Sequence, residues 1–374
     1  MTTIVGGRAC LSVLSILIVL VLSVPIQGTP AEPGHQAAKP AVLNLYFGDL
    51  HSHTGFSDGY GTPAGAYAAA KAAGADFLAT TDHAKWISPK EWAITLDEAA
   101  DATTPTFAAL PACEYWLEGG LGELNVYGLS YLPPVWTAFG NRQVRLPSFY
   151  DWMADQAGGS AQWNHPDYMT QTQYDGFGYY SPSRDRGINV FEICNQGSYD
   201  WQGTTDWESA FVDALDAGWH VMPAANSDTH ATNWISGYDV RTVLLAPSLS
   251  PDNLYAAMSA CRGYATQDKN LQISYSVNGE VLGSTLEPSV STYTASVHVV
   301  DPDNTESDSI SMLELVTDGG AVVTSKASHS CVVDWTVTFT SATAHYFYLR
   351  VSTESSITGG PGVTAWTAPV WTGR

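Results

Sequence analysis

The stretch LNLYFGDLHSHTGFSDGYGTPAG, residues 43–65, decides how the chain reads. Residues 43–47 are mostly apolar and read as a strand. The polar loop after it carries His51 and His53, with Asp58-Gly59 five residues further on. Thr62 is a helix cap and Pro63 suits the first helical position, and the helix runs through Ala73 to stop at Gly74. Strand, polar loop and capped helix make one β/α unit, and the unit repeats. Further strands are expected at 77–81, 107–113, 124–129, 161–164, 188–193 and 220–225. Helices are expected to open at Ser88-Pro89, at Ser148 (ending near Gly158), at Asp206 (ending at Gly218) and at Ser250-Pro251 (ending at Gly263). Such alternation implies parallel strands, with a closed or partly closed barrel favoured over an open sheet. The loops leaving the strand C-termini would then build the site.

Beyond residue 270 the helical period vanishes. Alternating runs at 271–277, 293–300, 311–316, 332–339 and 346–351, separated by Gly, Asn, Asp and Pro, read as a small β-sandwich. The expected layout is therefore an α/β barrel over 43–267 followed by an all-β accessory module over 270–374. Ahead of both, residues 9–24 form an apolar run after Arg8. It is shorter than the roughly 20 residues of a membrane span and suits the core of a secretory signal. We expect a signal over 1–28, a Pro/Ala-rich linker over 29–42, and a secreted, periplasmic or extracellular mature protein without lasting membrane insertion.

The composition agrees with a packed, acidic globular protein. Fifteen Lys and Arg against 37 Asp and Glu give a charge of −22, which excludes a nucleic-acid polyanion as the main partner. An apolar fraction of 45% with 13 Trp and 19 Tyr excludes a disordered chain. Export would permit disulfides among Cys113, Cys194, Cys261 and Cys331, but no pairing is legible, and none has zinc-ligand spacing.

The chemistry concentrates after the expected strands. His51 and His53 follow the first, Thr81-Asp82-His83 the second, and Glu114 ends the third. Asn164-His165-Pro166 ends the fifth, and Ser227-Asp228-Thr229-His230 ends the last. Singly each is unremarked; jointly they converge on one barrel mouth. Imidazole and carboxylate are ligands for zinc, manganese and iron(II), and carboxylates can bridge metals. Two divalent ions about 3.5–4 Å apart would lower the pKa of a shared water toward 7 and steady a leaving oxygen. Asp49 and Asp82 each adjoin a candidate ligand and are candidate acceptors for fixing its tautomer. Asp228 or His230 is a candidate proton carrier.

Together, GDLHSHTGFSDG (48–59), TDH (81–83), the lone Glu114, NHP (164–166) and SDTH (227–230) resemble the polymerase and histidinol phosphatase (PHP) superfamily. The pattern GYATQDKNLQISYSVNG (263–279), entering a tail that ends AWTAPVW (365–371), is similar to secreted metallohydrolases of the CehA/McbA branch. The resemblance implies a distorted seven-stranded β/α barrel holding two or three divalent transition metals (zinc, manganese or iron) at its mouth. It implies His51, His53, Glu114 and Asp228 around the first metal, and Asp58, His83 and His230 around the second. Glu114 with His165 would hold the third, with Glu114 bridging. The chain departs from the pattern at Glu123, where the family often has His before a Leu/Val-Asn pair.

For substrate, a small-molecule or polymeric phosphate ester is the first expectation, with Lys85, Arg184 and Arg186 as the cations available to it. For the arginines, local pairing with Asp185 and Asp175 is the competing reading. A carbamate, ester or amide hydrolase is the alternative, because the same activated water attacks carbonyl carbon as well as phosphorus. A non-catalytic glycan- or protein-binding module at the cell surface is the alternative of another class. No GxSxG elbow, phosphate-binding GxxxxGK[ST] loop or GxGxxG turn appears.

Overall fold

The computed structural model describes residues 42–117, 121–132, 142–166, 174–196, 205–288, 290–354 and 362–374. The expected signal (1–28) and all but the last residue of the linker (29–42) lie outside the described residues. Among those described, no helix is long and apolar enough to cross a membrane.

The fold is mixed α/β. Its first part holds β1 (Asn44–Asp49), β2 (Phe77–Thr80), β3 (Ala108–Leu117), β4 (Gly122–Tyr127), β5 (Ser160–Asn164), β6 (Ile188–Asn195), β7 (Met222–Asn226), β8 (Arg241–Ala246) and β9 (Gly263–Thr266). The longer helices between them are α1 (Pro63–Ala72), α2 (Pro89–Ala102), α3 (Arg142–Ala154), α4 (Glu208–Asp216) and α5 (Pro251–Ser259) among the described residues. Capping sets their starts. Thr62 accepts from the Gly65 N–H, Ser88 and Glu91 form a reciprocal capping box, and Ser250 accepts from the Asn253 N–H. Ser148 is no cap, because α3 begins six residues earlier and carries Ser148 inside it. Nor does Asp206 cap α4, whose cap position is Trp207, without a side-chain bond.

Strands β1, β2 and β3 are parallel, as are β5, β6 and β7. The purely parallel arrangement fails at β4, which pairs antiparallel with both β3 and β5. Only residues 118–121 separate β3 from β4, too few for a crossover and enough for a hairpin. Strand β8, absent from the expected set, runs antiparallel to β1, and β9 antiparallel to β8. The sheet curls until its far members meet: Thr242 Oγ1 on β8 accepts from the Ala225 N–H on β7 at 3.0 Å. Gly48 is required where β1 lies on β2, since a Cβ there would stand 2.3 Å from the Phe77 carbonyl oxygen.

The boundary near 267 is not a break in the sheet. The second part holds β10 (Gln272–Val277), β11 (Thr292–Val300), β12 (Ile310–Thr317), β13 (Ala321–Ser330), β14 (Val332–Thr340), β15 (Tyr346–Thr353) and β16 (Gly362–Thr367). Strand β16 pairs antiparallel with β9, so β13-β12-β15-β16 continues the first sheet in that order. Strands β10, β11 and β14 form a separate sheet that faces it through Tyr293, Phe339 and Phe347. One apolar core runs through both parts, and Trp163, fully buried in it, is edge-on to Tyr150, Phe177, Phe191 and Trp219. Cys113, Cys194, Cys261 and Cys331 are all buried.

Candidate metal centre

Every loop that supplies the site leaves the same end of the curled sheet. His51 and His53 follow β1, His83 follows β2, His165 follows β5, and Asp228 and His230 follow β7. Glu114 differs from expectation: β3 runs on to Leu117, so Glu114 sits inside the strand, opposite Asn125 of β4. The hairpin with β4 extends the strand past the point where the apolar run stops. Two site residues hold backbone conformations that cost a non-glycine residue about 1 kcal/mol or more, His165 at φ 29° and Asp228 at φ 49°. Gly59 lets the Asp58 turn close, since a Cβ there would meet the His53 carbonyl carbon at 2.8 Å.

Glu114, 1% exposed, is the hub. Its Oε1 lies 3.4 Å from His51 Nε2 and 3.5 Å from His165 Nε2, and its Oε2 lies 3.3 Å from His53 Nε2 and 3.1 Å from His83 Nδ1. Asp228 Oδ1 lies 3.2 Å from His51 Nε2 and 3.1 Å from His53 Nε2. Asp58 approaches His83 Nε2 at 3.5 Å and His230 Nε2 at 3.4 Å. Glu123 Oε2 reaches His165 Nε2 at 3.3 Å, so the departure from the family pattern still presents a carboxylate to the same ring. All nine expected ligands thus gather in one cluster.

The donor chemistry fits divalent transition metals. His51 Nε2, His53 Nε2 and His83 Nδ1 are buried and make no hydrogen bond among the described residues, although carboxylate oxygens stand within 3.5 Å. Acceptor nitrogens and anionic oxygens aimed at shared points, without hydrogen-bond geometry, are what a cation between them requires. His53, Asp58, His83 and His230 offer one such group of atoms, and His51, His53 and Glu114 another. His51, His165 and Asp228 form a third, and His83, Glu114 and Glu123 a fourth.

The electrostatics carry the same imprint. Burial opposes charging these rings, yet the carboxylates outweigh it. Asp228, Glu192 and Glu114 hold His51 well above the ordinary histidine pKa, and Glu114 and Glu123 do the same for His165. Glu114 and Asp58 push His83 up to about 9 against its burial, and Asp58 and Asp228 raise His230. Burial likewise opposes ionising the acids, but the rings hold Glu114, Asp228 and Asp58 well below the usual carboxylate range.

Supporting residues depart from the sequence reading. Among the described residues Asp49 makes no hydrogen bond to an imidazole; it accepts from the His51 and Ser227 N–H groups and so ties the β1 loop to the β7 loop. Burial pushes its pKa up to about 6. Asp82 accepts from Thr54 N–H, Thr54 Oγ1 and Ser57 Oγ, which orders the loop between His53 and Asp58. The acceptor that orients His51 is Glu192, which the sequence reading missed, 3.0 Å from Nδ1. Glu192 also accepts from the His165 N–H at 2.7 Å and from Asn226 Nδ2 at 2.9 Å. A carboxylate within the apolar run INVFEICN was the available signal. Asn164, 2.7 Å from Glu114 Oε1, positions the hub from β5.

The expected substrate cations have other partners, although Lys85 stays beside the cluster through Trp86, which packs edge-on to His83. Arg184 makes a two-pronged bond to Asp151 at 2.7 and 2.9 Å, so its partner is neither Asp185 nor Asp175. Arg186 precedes β6 at the opposite end of the strands, beside His220 and Trp371. Lys85 Nζ stacks on Trp116 and Trp86, 3.4 and 4.4 Å from their ring centroids.

No family model matches the chain, and no curated protein matches it. Among solved structures it is similar to a two-domain protein from Bacteroides vulgatus containing a predicted PHP-like metal-dependent phosphoesterase. The identity is 15%, covering 88% of this chain and 96% of that one, with a TM-score of 0.47. A provisionally assigned metal-dependent phosphoesterase from Bifidobacterium adolescentis shares 14% identity over 49% of this chain and 87% of its own, at TM-score 0.31. An amidohydrolase from Chromobacterium violaceum, solved with sulfate and no metal, shares 18% identity over the same fractions, 49% and 87%, at TM-score 0.29.

Proposed function

We propose that the protein is an exported metal-dependent hydrolase, that it acts on phosphate esters, and that its curled sheet is a distorted seven-stranded PHP-type barrel backed by a β-sandwich. The observation that carries the reading is the convergence of five histidines and four carboxylates with buried ring nitrogens facing carboxylate oxygens. We assign His51, His53, Glu114 and Asp228 to one divalent ion and Asp58, His83 and His230 to a second. Glu114, Glu123 and His165 are assigned to a third. When bound, such ions supply Lewis acidity and make water ionisable near neutral pH. The chain's own residues do the rest. Glu192 orients His51, Asn164 fixes one oxygen of Glu114, and Asp82 shapes the loop that presents Asp58. Asp228, 2% exposed, faces His51 and His53 with Oδ1 and is assigned to the first ion. His230, whose side chain is 32% exposed, has Nδ1 on the Asp228 carbonyl and Nε2 beside Asp58. One nitrogen cannot bind an ion and carry a proton at once: as a ligand of the second ion Nε2 carries no proton, and only when released from that ion would it deliver one to the leaving oxygen.

One observation favours a second reading, hydrolysis of a carbamate, ester or amide. Arg184 is engaged by Asp151, Arg186 is remote, and Lys85 is held by two indoles, so side-chain cations for a phosphate are scarce. Assay of the purified, metal-loaded protein on a phosphate diester, a phosphate monoester and an aryl carbamate separates the two. Turnover of a phosphate substrate alone supports the first reading, and turnover of the carbamate alone replaces it. Tight polysaccharide binding with no turnover under zinc, manganese or iron would establish the binding-module alternative.

A further inference from the structure

A second group of acids lies apart from the histidine cluster and shares no residue with it. Asp268 follows β9, Asp301 follows β11 and Asp308 precedes β12, and each offers an oxygen within 4.8 Å of the others. Asp301 is only 2% exposed. Its Oδ1 accepts from the Asp303 N–H at 3.0 Å, while its Oδ2 is buried and makes no hydrogen bond among the described residues. The Oδ1 of Asn270, in the loop of Asp268, is likewise buried without a hydrogen-bond partner among the described residues, its Nδ2 being spent on Asp303 and its backbone N–H on Asp268. No Lys, Arg or His forms an ion pair with Asp268, Asp301 or Asp308 among the described residues. The nearby Lys269 pairs with Asp303 instead, at 3.2 Å.

Three carboxylates crowded together, one of them enclosed with an orphaned oxygen, are unfavourable on their own. A buried anion must neutralise, pair or coordinate a cation. Burial and the neighbouring acids push the Asp301 pKa up to about 7, the strain expected where the neutralising partner is a cation. The donors are all oxygen, which selects a hard cation over zinc or iron. They come from separate loops, an irregular set that calcium accepts and that magnesium, with its octahedral demand, does not.

We propose that Asp268, Asp301 and Asp308, with Asn270 Oδ1, form a structural calcium site. It would tie the exit of β9 and the start of β12, in one sheet, to the end of β11 in the other. The site is independent of the hydrolase reading. The test is calorimetric titration of chelator-treated protein with calcium chloride alone, paired with thermal unfolding. Wild type and Glu114→Gln should each bind one calcium per chain and gain about 3 °C or more in Tm at saturation. Asp301→Asn and Asp308→Asn should lose both effects, while remaining at least as stable as wild type without calcium because a repulsion is relieved. The proposal is overturned if wild type binds no calcium at about 10 mM, above the weakest range for extracellular modules. It is equally overturned if Asp301→Asn retains the shift, if the shift disappears in Glu114→Gln, or if magnesium binds more tightly than calcium.

Discussion

At the scale of single residues, Glu114 and Glu192 are both buried carboxylates beside His51, and their variants should differ in kind. Glu114 faces four imidazoles with both oxygens, so an amide cannot serve two cations equally. Glu114→Gln should lower metal content by at least one ion per chain and turnover by about 100-fold or more. Glu192→Gln should keep most of the metal and lose about 10- to 100-fold in turnover, the usual cost of disturbing a ligand's partner. Elemental analysis beside rate measurement checks both; equal metal loss in the two variants would contradict the division of roles. The raised ring pKa values yield a second expectation. Without metal, His83 holds its proton up to about pH 9, yet a ligand ring must be neutral. Metal binding at pH 7 should therefore release protons, and affinity should rise as pH climbs from 7 toward 9. Titration calorimetry in buffers of different ionisation enthalpy measures the release directly, and a buffer-independent heat would refute it.

At the scale of elements, the loops after β1, β2, β5 and β7 were legible because a strand C-terminus, a histidine and a carboxylate recur together. What the sequence hid was geometry set by neighbours. The β3–β4 hairpin reads as two more parallel strands, because alternation in hydrophobicity carries no direction. Strand β8, six buried residues of RTVLLA, has no turn signal to separate it from a buried helix turn. Arg184 and Asp151 meet only because α3 packs by the short helical turn Asp185–Gly187, which no local pattern reveals. The Asp58 loop is the element most open to test. Gly59→Ala would push a methyl against the His53 backbone and displace Asp58 from His83 and His230. Metal held by those three residues should fall while the ions near Glu114 remain, with activity down about tenfold or more. Stability should drop by only about 1–3 kcal/mol, as for other overpacked sites. Metal stoichiometry and chemical unfolding of the same variant check the two halves of this expectation.

At the scale of the whole molecule, the change of texture near residue 270 marks a change of architecture without marking an independent unit. Texture reports local periodicity, whereas the pairing of β9 with β16 joins residues a hundred positions apart. Side chains reinforce the join. Phe211 of α4 packs edge-on to Tyr348, whose hydroxyl donates to Glu208 at 2.6 Å. Arg350 bridges Glu208 and Glu314, each at 2.9 Å. Tyr346 donates to Asp216 at 2.8 Å. A chain ending at residue 267 would leave β9 as an open apolar edge and strip the cover from α4. Removing even one buried aromatic side chain costs about 3–5 kcal/mol, against a total stability of about 5–15 kcal/mol, and the truncation removes several. The truncated chain should therefore aggregate or lose its near-ultraviolet dichroism, and should fail to bind metal although every histidine of the cluster is present. The intact chain should unfold in one calorimetric transition. A truncated chain that melts sharply and binds metal with full stoichiometry would make the second part a dispensable appendage, and would remove the structural reason for a continuous sheet.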